Sequence, residues 1–266
     1  MKIWTISNQK GGVGKTTTAV SLGGLLAEQG QRVLLLDLDP QGSMTSYFRL
    51  NPDAMEHSVY SLFEARANGT DIQLLEVLLQ DTGVAGLSLM PASTAMATLD
   101  RQLGARGGMG LVIKQALSRL QQQFDYVLMD CPPMLGMLMV NALAACEQLL
   151  IPVQTEFLAL KGLERMLHTL QMIGHSIGSE LPYIVIPTFF DRRTRASIDA
   201  LRAMRDQHGE HLWMRLIPVD TQFREASRAG LPINLYNPQA RGTVAYASLL
   251  RWLLQAQEPL AEAMAR

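Results

Sequence analysis

Cysteine is scarce: Cys131 and Cys146 are the only two in 266 residues. Their separation fits no zinc or iron–sulfur ligand spacing and offers no disulfide framework, so a reducing cytoplasm is the expected compartment. Aromatic residues make up 6% and charged residues 18% of the chain, against 48% hydrophobic. That balance excludes a disordered chain and supplies apolar material for a substantial core. Long hydrophobic runs are also missing. The most apolar stretch, 134–146, is too short to span a membrane and contains Asn141, and Gln9 and Lys10 interrupt any apolar leader. Neither sign of charge dominates, the formal net charge being −1, so whole-protein charge does not decide for or against nucleic acid. No internal repeat or low-complexity tract divides the chain, and its length suits one α/β domain.

What the chain does have is glycine in a telling place. Residues 9–17 read Gln-Lys-Gly-Gly-Val-Gly-Lys-Thr-Thr, after the apolar run Ile3-Trp4-Thr5-Ile6 and before a segment of helical period. Strand, glycine loop and helix in that order make a phosphate cradle. Consecutive backbone N–H groups point into one cavity, and the following helix adds its positive dipole end. Gly11, Gly12 and Gly14 keep Cβ atoms away from a ligand, with Val13 among them. Lys15 is expected at the β- and γ-phosphates, and the hydroxyl of Thr16, followed by Thr17, on Mg²⁺.

β-rich runs at 2–8, 32–37, 87–91, 125–130, 148–153, 183–187 and 213–218 alternate with helical patterns at 16–29, 110–122, 158–174, 196–207 and 243–254. Alternation of this kind predicts a single α/β domain of the P-loop NTPase type, its mainly parallel, twisted sheet covered by helices on both faces. The domain is expected over 1–254, with a short tail over 255–266. Residues 51–110 are the least regular, and the glycines at 104, 107, 108 and 110 suggest a surface loop. Two strands end in carboxylates. Asp37-Leu38-Asp39-Pro40-Gln41-Gly42 closes the second, and Tyr126-Val127-Leu128-Met129-Asp130 is a Walker B pattern whose aspartate is expected to hold Mg²⁺ through water. Without an [NT]-K-x-D guanine motif, ATP is favoured over GTP.

The glycine loop departs from G-x-x-x-x-G-K-[ST] at its first position, where Gln9 stands, and carries a second lysine, Lys10. This resembles the deviant Walker A motif, x-K-G-G-x-x-K-[ST], of the ParA/MinD class of P-loop ATPases. The resemblance runs from Met1 to about Leu254. It includes Pro132-Pro133 with Gly136, the segment from Val153 to Leu163, Phe223-Arg224-Glu225-Ala226 with Gly230-Leu231-Pro232-Ile233, and Ala245-Tyr246. It implies an ATP-bound homodimer in which Lys10 reaches the phosphates of the other subunit. It gives Asp39 the role of orienting the attacking water and counts it with Thr16 and Asp130 at the metal; Asp37 then contacts metal-bound water. It places the adenine pocket at Pro187-Thr188 and Ile217-Pro218-Val219-Asp220.

Within the class, the tail carries Pro259, Glu258 and Glu262, unlike the basic amphipathic membrane helix of the MinD branch. The loop also begins too early for an N-terminal DNA-binding extension, which points to the short ParA/Soj type. Ser43-Met44-Thr45-Ser46-Tyr47-Phe48, the run from Phe189 to Thr194, and Ile217 to Thr221 look like the ParC proteins that place chemotaxis arrays at the pole of polar flagellates. Slow hydrolysis stimulated by a cargo adaptor is then expected, with polar or nucleoid localisation. Chromosome or plasmid partitioning with a ParB-like partner is the alternative, and an amidoligase is the metabolic rival.

Members of the ParA branch bind DNA without sequence preference. Over residues 185–255 ten arginines face six acids, whereas over 1–150 ten Lys and Arg face thirteen acids. The late surplus suits a phosphate-backbone footprint, and a solvated face with i,i+4 ion pairs explains it equally well. Val219 and Gln222 stand where the short ParA type often has arginine. His208 and His211 have a metal-compatible spacing without a third ligand. Met134, Met137 and Met139 follow the Walker B strand as core or as an adaptable surface.

Overall fold

The computed structural model describes residues 1–70, 75–104, 106–177 and 181–264. Seven strands, β1 Lys2–Ile6, β2 Val33–Asp37, β3 Gln80–Val84, β4 Leu87–Met90, β5 Tyr126–Asp130, β6 Gln148–Gln154 and β7 Tyr183–Thr188, form one sheet in the order β3-β4-β2-β5-β1-β6-β7. All pairings are parallel except β3 with β4. The helices in chain order are α1 Lys15–Glu28, α2 Ser43–Tyr47, α3 Val59–Ala67, α4 Leu99–Leu103, α5 Val112–Arg119, α6 Met137–Ala145, α7 Phe157–Ile177, α8 Arg195–His208, α9 Gln222–Ala229, α10 Ile233–Tyr236 and α11 Arg241–Met264.

Parallel strands need crossover helices, and the helices bury both faces of the sheet. The period of two in β2 shows it directly. Leu34 and Leu36 join the core under α3, α5 and α6, with Phe63, Ile113, Leu117 and Leu138. Val33 and Leu35 turn to the opposite core, where α1 and α11 supply Leu22, Leu26, Leu249 and Leu253. A third cluster covers β6 with α7 and α8 through Leu163, Met166, Leu170 and Met204.

Three expectations are corrected. The run at 213–218 is not a strand. Isolated bridges, Val185 with Leu212 and Phe190 with Pro218, touch the β7 side at its two ends, and the bend at Met214 and Arg215 interrupts any ladder between them. The helix expected over 243–254 starts at Arg241 and continues past Pro259 to Met264. The glycine cluster is not a plain loop. Gly104 closes α4, and Gly108, at φ 81°, opens a 3-10 turn, Met109–Leu111, that buries Met109; residue 105 lies outside the described residues.

Close packing of α1 is specific at Gly24, where a Cβ would lie 2.3 Å from the Pro232 ring and 2.6 Å from Asn234 Oδ1. Asn234 is buried there, and its Nδ2 donates to Gly24 O at 3.2 Å. Gly24→Ala is therefore expected to cost about 1–3 kcal/mol by overpacking, outweighing alanine's helix preference of about 1 kcal/mol. Urea unfolding should show a lowered midpoint; an unchanged one would mean that the Pro232–Asn234 contact yields freely.

Candidate nucleotide-binding site

Among the described residues β1 is the only strand flanked on both sides by strands that the chain reaches more than a hundred residues later, and the loop 7–14 emerges from its C-terminal end. The loop turns back with two left-handed residues, Gly12 at φ 72° and Gly14 at φ 93°. A Cβ added at Gly11 or Gly12 would meet nothing within 4 Å. Both glycines thus face open space, as a backbone cradle for a ligand must. Hydrogen bonds to three elements, β6, α7 and β7, hold the loop. Asn8 Nδ2 donates to Pro152 O at 2.8 Å, Gln9 Nε2 to Thr169 Oγ1 at 2.9 Å, and Thr188 Oγ1 to Val13 O at 2.9 Å.

The two lysines part company. Lys15, at the first position of α1, is buried, and its Nζ donates to Lys10 O at 3.3 Å. Lys10 turns its side chain the other way and forms an ion pair with Glu156, which sits just past β6.

The carboxylates meet at the same edge. Asp37 and Asp130 are register partners on β2 and β5, and both are buried. Thr16 Oγ1 donates to Asp130 Oδ2 at 2.5 Å, while Asp130 Oδ1 is buried without a hydrogen-bond partner. Asp37 Oδ2 accepts from the Thr45 backbone N–H at 2.8 Å and the Thr45 hydroxyl at 2.7 Å, and Oδ1 accepts from Asp39 N–H at 3.2 Å. Burial raises the pKa of both groups, and the neighbouring Asp37 charge raises that of Asp130 further. Asp39 is half-buried two residues beyond the strand end, and its Oδ1 accepts from Gln41 N–H at 3.0 Å. An orphaned carboxylate oxygen beside a hydroxyl and a second buried carboxylate fits a hydrated divalent cation, which takes one or two carboxylates and completes its shell with water and phosphate. Cys131 follows this edge fully buried, and burial pushes its thiol pKa up, which makes it a packing residue.

A cavity of about 820 Å³ opens from the loop. Gly12, Gly14, Thr16 and Thr17 line one end; Thr188, Phe189, Ile217, Pro218, Val219 and Asp220 line the other. Pro187 is not on the wall. Its carbonyl instead accepts from Ile217 N–H at 2.8 Å and holds the 217–220 segment beside β7. Asp220 has both oxygens engaged by backbone, Oδ1 by Gln222 N–H at 3.0 Å and Oδ2 by Gly242 N–H at 2.9 Å. It joins the start of α9 to the start of α11, and its carboxylate is committed to that clasp.

Tyr47, Phe189, Phe223, Arg224 and Tyr246, which the sequence offers only as part of the family resemblance, also line the cavity. Phe189 occupies the left-handed region at φ 51°, and its ring edge lies 3.5 Å from a Cβ placed on Gly14. That conformation is uncommon outside glycine, asparagine and aspartate, and only the structure reveals it. Among the methionines after β5, Met139 is core and Met134 is 76% exposed. His211 stacks on Tyr183 at 4.2 Å, and burial lowers the pKa of His208. Among the described residues no cluster of three or more His, Cys, Asp or Glu could hold a metal, and no helix is long and apolar enough to cross a membrane.

Residues 1–183 match the AAA domain (AAA_31). The chain is 37% identical to the sporulation initiation inhibitor protein Soj of Bacillus subtilis over 94% of its length and 97% of that protein's. It is 34% identical to the chromosome partitioning protein ParA of Myxococcus xanthus, over 97% of this chain and 89% of that one. Among solved structures, cobyrinic acid a,c-diamide synthase of Mycobacterium smegmatis with bound ATP analog and magnesium superposes with a TM-score of 0.82. It is 32% identical, over 97% of this chain and 96% of that one. With the two-lysine loop, the paired strand-end carboxylates and the sheet order already in place, these likenesses are decisive: the chain belongs to the AAA_31 family of AAA domains, in the ParA/MinD class of P-loop ATPases.

Proposed function

We propose that this protein is a ParA-type partitioning ATPase, which binds ATP with Mg²⁺, dimerises in that state and hydrolyses slowly to position a large cargo. The carrying observation is the division of labour between the lysines. Lys15 is turned into its own loop, whereas the Lys10 side chain points out of it toward Glu156, in position to leave that partner for phosphates presented from outside. Exposed apolar residues surround the same edge, Met134 and Leu135 after β5 and Phe157 and Leu158 after β6, three of them more than two-thirds exposed. A second copy would cover them. Mg²⁺, held by Thr16 and Asp130 with Asp37 beside them, would neutralise charge on the phosphates. Lys15 and the loop amides stabilise the transferring group, and Asp39 orients water.

Chromosome or plasmid segregation with a ParB-like stimulating partner is the cargo best supported, since the relatives named for partitioning align over nearly the whole chain. Chemotaxis arrays as cargo rest on three short sequence segments alone. The amide-forming alternative draws on the diamide synthase likeness; γ-phosphate release in the absence of any carboxylate acceptor and any nitrogen donor argues against it. DNA would be met by the C-terminal arginines. Arg193 is engaged by Asp191 at 2.7 Å, and Arg195 and Arg202 share Asp199. Arg224 and Arg228, one turn apart on α9 and both exposed, make the better footprint.

Asp39→Ala should retain nucleotide binding and lose turnover by about 100-fold or more, measured as phosphate release beside nucleotide affinity; wild-type turnover would remove Asp39 from the reaction. Lys15→Ala should abolish nucleotide binding. Lys10→Ala should bind as a monomer yet fail to dimerise, and sedimentation with a non-hydrolysable ATP analogue separates the two; a normal dimer of the Lys10 variant contradicts the trans role. The ATP-bound dimer should retain duplex DNA of any sequence, with a log–log salt slope of roughly −0.9 per phosphate contact. Arg224→Ala with Arg228→Ala should make that slope shallower, and gel shifts at low salt without ATP-dependent retention would reject DNA as partner.

A further inference from the structure

Tyr246 lies far along the chain on α11, yet its hydroxyl ends at the phosphate loop. The side chain is 1% exposed and lines the nucleotide cavity, with its ring edge-on to Phe223 at 5.7 Å between centroids. Its hydroxyl lies 2.8 Å from Thr18 Oγ1. Thr18 Oγ1 in turn donates to Gly14 O at 2.7 Å, and Thr18 N–H donates to the same carbonyl at 2.8 Å. The single proton of Thr18 Oγ1 is committed to Gly14 O, so the tyrosine must be the donor in the other bond. The direction is fixed: Tyr246 to Thr18 to Gly14.

Gly14 O belongs to the peptide whose N–H is that of Lys15. Orienting that carbonyl orients the last amide of the cradle together with the residue carrying the inward lysine. Gly14 has no side chain and a left-handed backbone, so nothing in its own residue resists rotation of this peptide. The wall that would otherwise touch it, the Phe189 ring edge, is 3.5 Å from a Cβ that is not there. Two donors on one carbonyl, the outer one polarised by a buried phenol, supply the missing stiffness.

We infer that Tyr246 is a positioning residue for phosphoryl transfer, setting the Gly14–Lys15 peptide through Thr18 from the C-terminal helix. The inference rests on the ATPase reading above for its kinetic part and on the hydrogen-bonded chain for its geometric part. Loop amides act most strongly on charge that develops as the phosphoryl group transfers, so misalignment lowers kcat more than it raises KM.

Tyr246→Phe keeps the ring and its packing and removes only the hydroxyl. ATP hydrolysis should fall on the order of tenfold in kcat with KM changed less than twofold, and the thermal midpoint should stay close to that of the wild type. Thr18→Val should lose at least as much, Thr18→Ser should recover most of the rate, and the double variant Thr18→Val with Tyr246→Phe should be no slower than Thr18→Val alone. A wild-type kcat for Tyr246→Phe, or losses that multiply in the double variant, overturns the proposal. Amide hydrogen exchange in nucleotide-free protein gives an independent arm, in which Thr18 N–H should exchange severalfold faster in Tyr246→Phe while the β1 amides keep their rates. Unchanged exchange at Thr18 overturns the proposal whatever the enzyme does. A wild-type protein that hydrolyses no ATP, with exchange still accelerated at Thr18, defeats the ATPase reading and leaves the link from Tyr246 to the loop standing.

Discussion

Two carboxylates side by side in the dry interior set the terms for the rest of this molecule. Asp37 and Asp130 are register partners on β2 and β5 and are almost completely buried. Each would be costly there as an isolated charge. The surrounding chain is arranged to satisfy them. α2 begins at Ser43 so that both the amide and the hydroxyl of Thr45 reach Asp37, and α1 begins at Lys15 so that the Thr16 hydroxyl reaches Asp130. Thr45 Oγ1 also accepts from Ala92 N–H at 2.9 Å, which draws the end of β4 into the same arrangement. One oxygen of Asp130 is left for something the protein does not supply, and that is where the chemistry enters.

The segment behind Asp37 is fastened to a distant part of the chain. Tyr47 donates its hydroxyl to Leu231 O at 2.8 Å, and Arg49 Nη2 donates to Arg228 O at 3.2 Å and Ala229 O at 3.0 Å. Arg49 does so from the left-handed region at φ 65°. Its guanidinium closes the carbonyl end of α9, the favourable place for a cation on a helix. A Cβ at Gly230, itself at φ 73°, would press on Arg49 Nε at 3.1 Å, which leaves that position to glycine. The segment behind Asp37 and the C-terminal end of α9 are therefore joined by direct hydrogen bonds as well as through the sheet.

Six of the seven strands, the helices after β1 and β6, and the whole phosphate loop were legible in the sequence because each is marked locally, by period, by glycine or by a terminal aspartate. β3 was not. Gln80-Asp81-Thr82-Gly83-Val84 is a polar edge strand with one buried residue, and nothing in its pattern separates it from a turn. α6 carries so few polar residues that it has no amphipathic period to read, being buried on most sides. The run at 213–218 looked like a strand because its composition is apolar, but a bend at Met214 and Arg215 leaves isolated bridges in place of a ladder. At the site, the glycine loop and the strand-end aspartates lie where their local patterns put them, whereas the aromatic lining has no local pattern. Tyr47, Phe189, Phe223 and Tyr246 converge only in three dimensions.

The sheet order has a bearing on how the protein is made. β1 leaves the ribosome well before its neighbours, which begin at Tyr126 and Gln148, so it must stay unpaired while more than a hundred residues are added. The cavity is finished later still, when Tyr246 arrives. Such non-local closure is slow compared with hairpins and helices, and the apolar strand Ile3-Trp4-Thr5-Ile6 is exposed for its whole duration. A truncated or stalled chain would possess the complete glycine loop in sequence and have no place to hold a nucleotide.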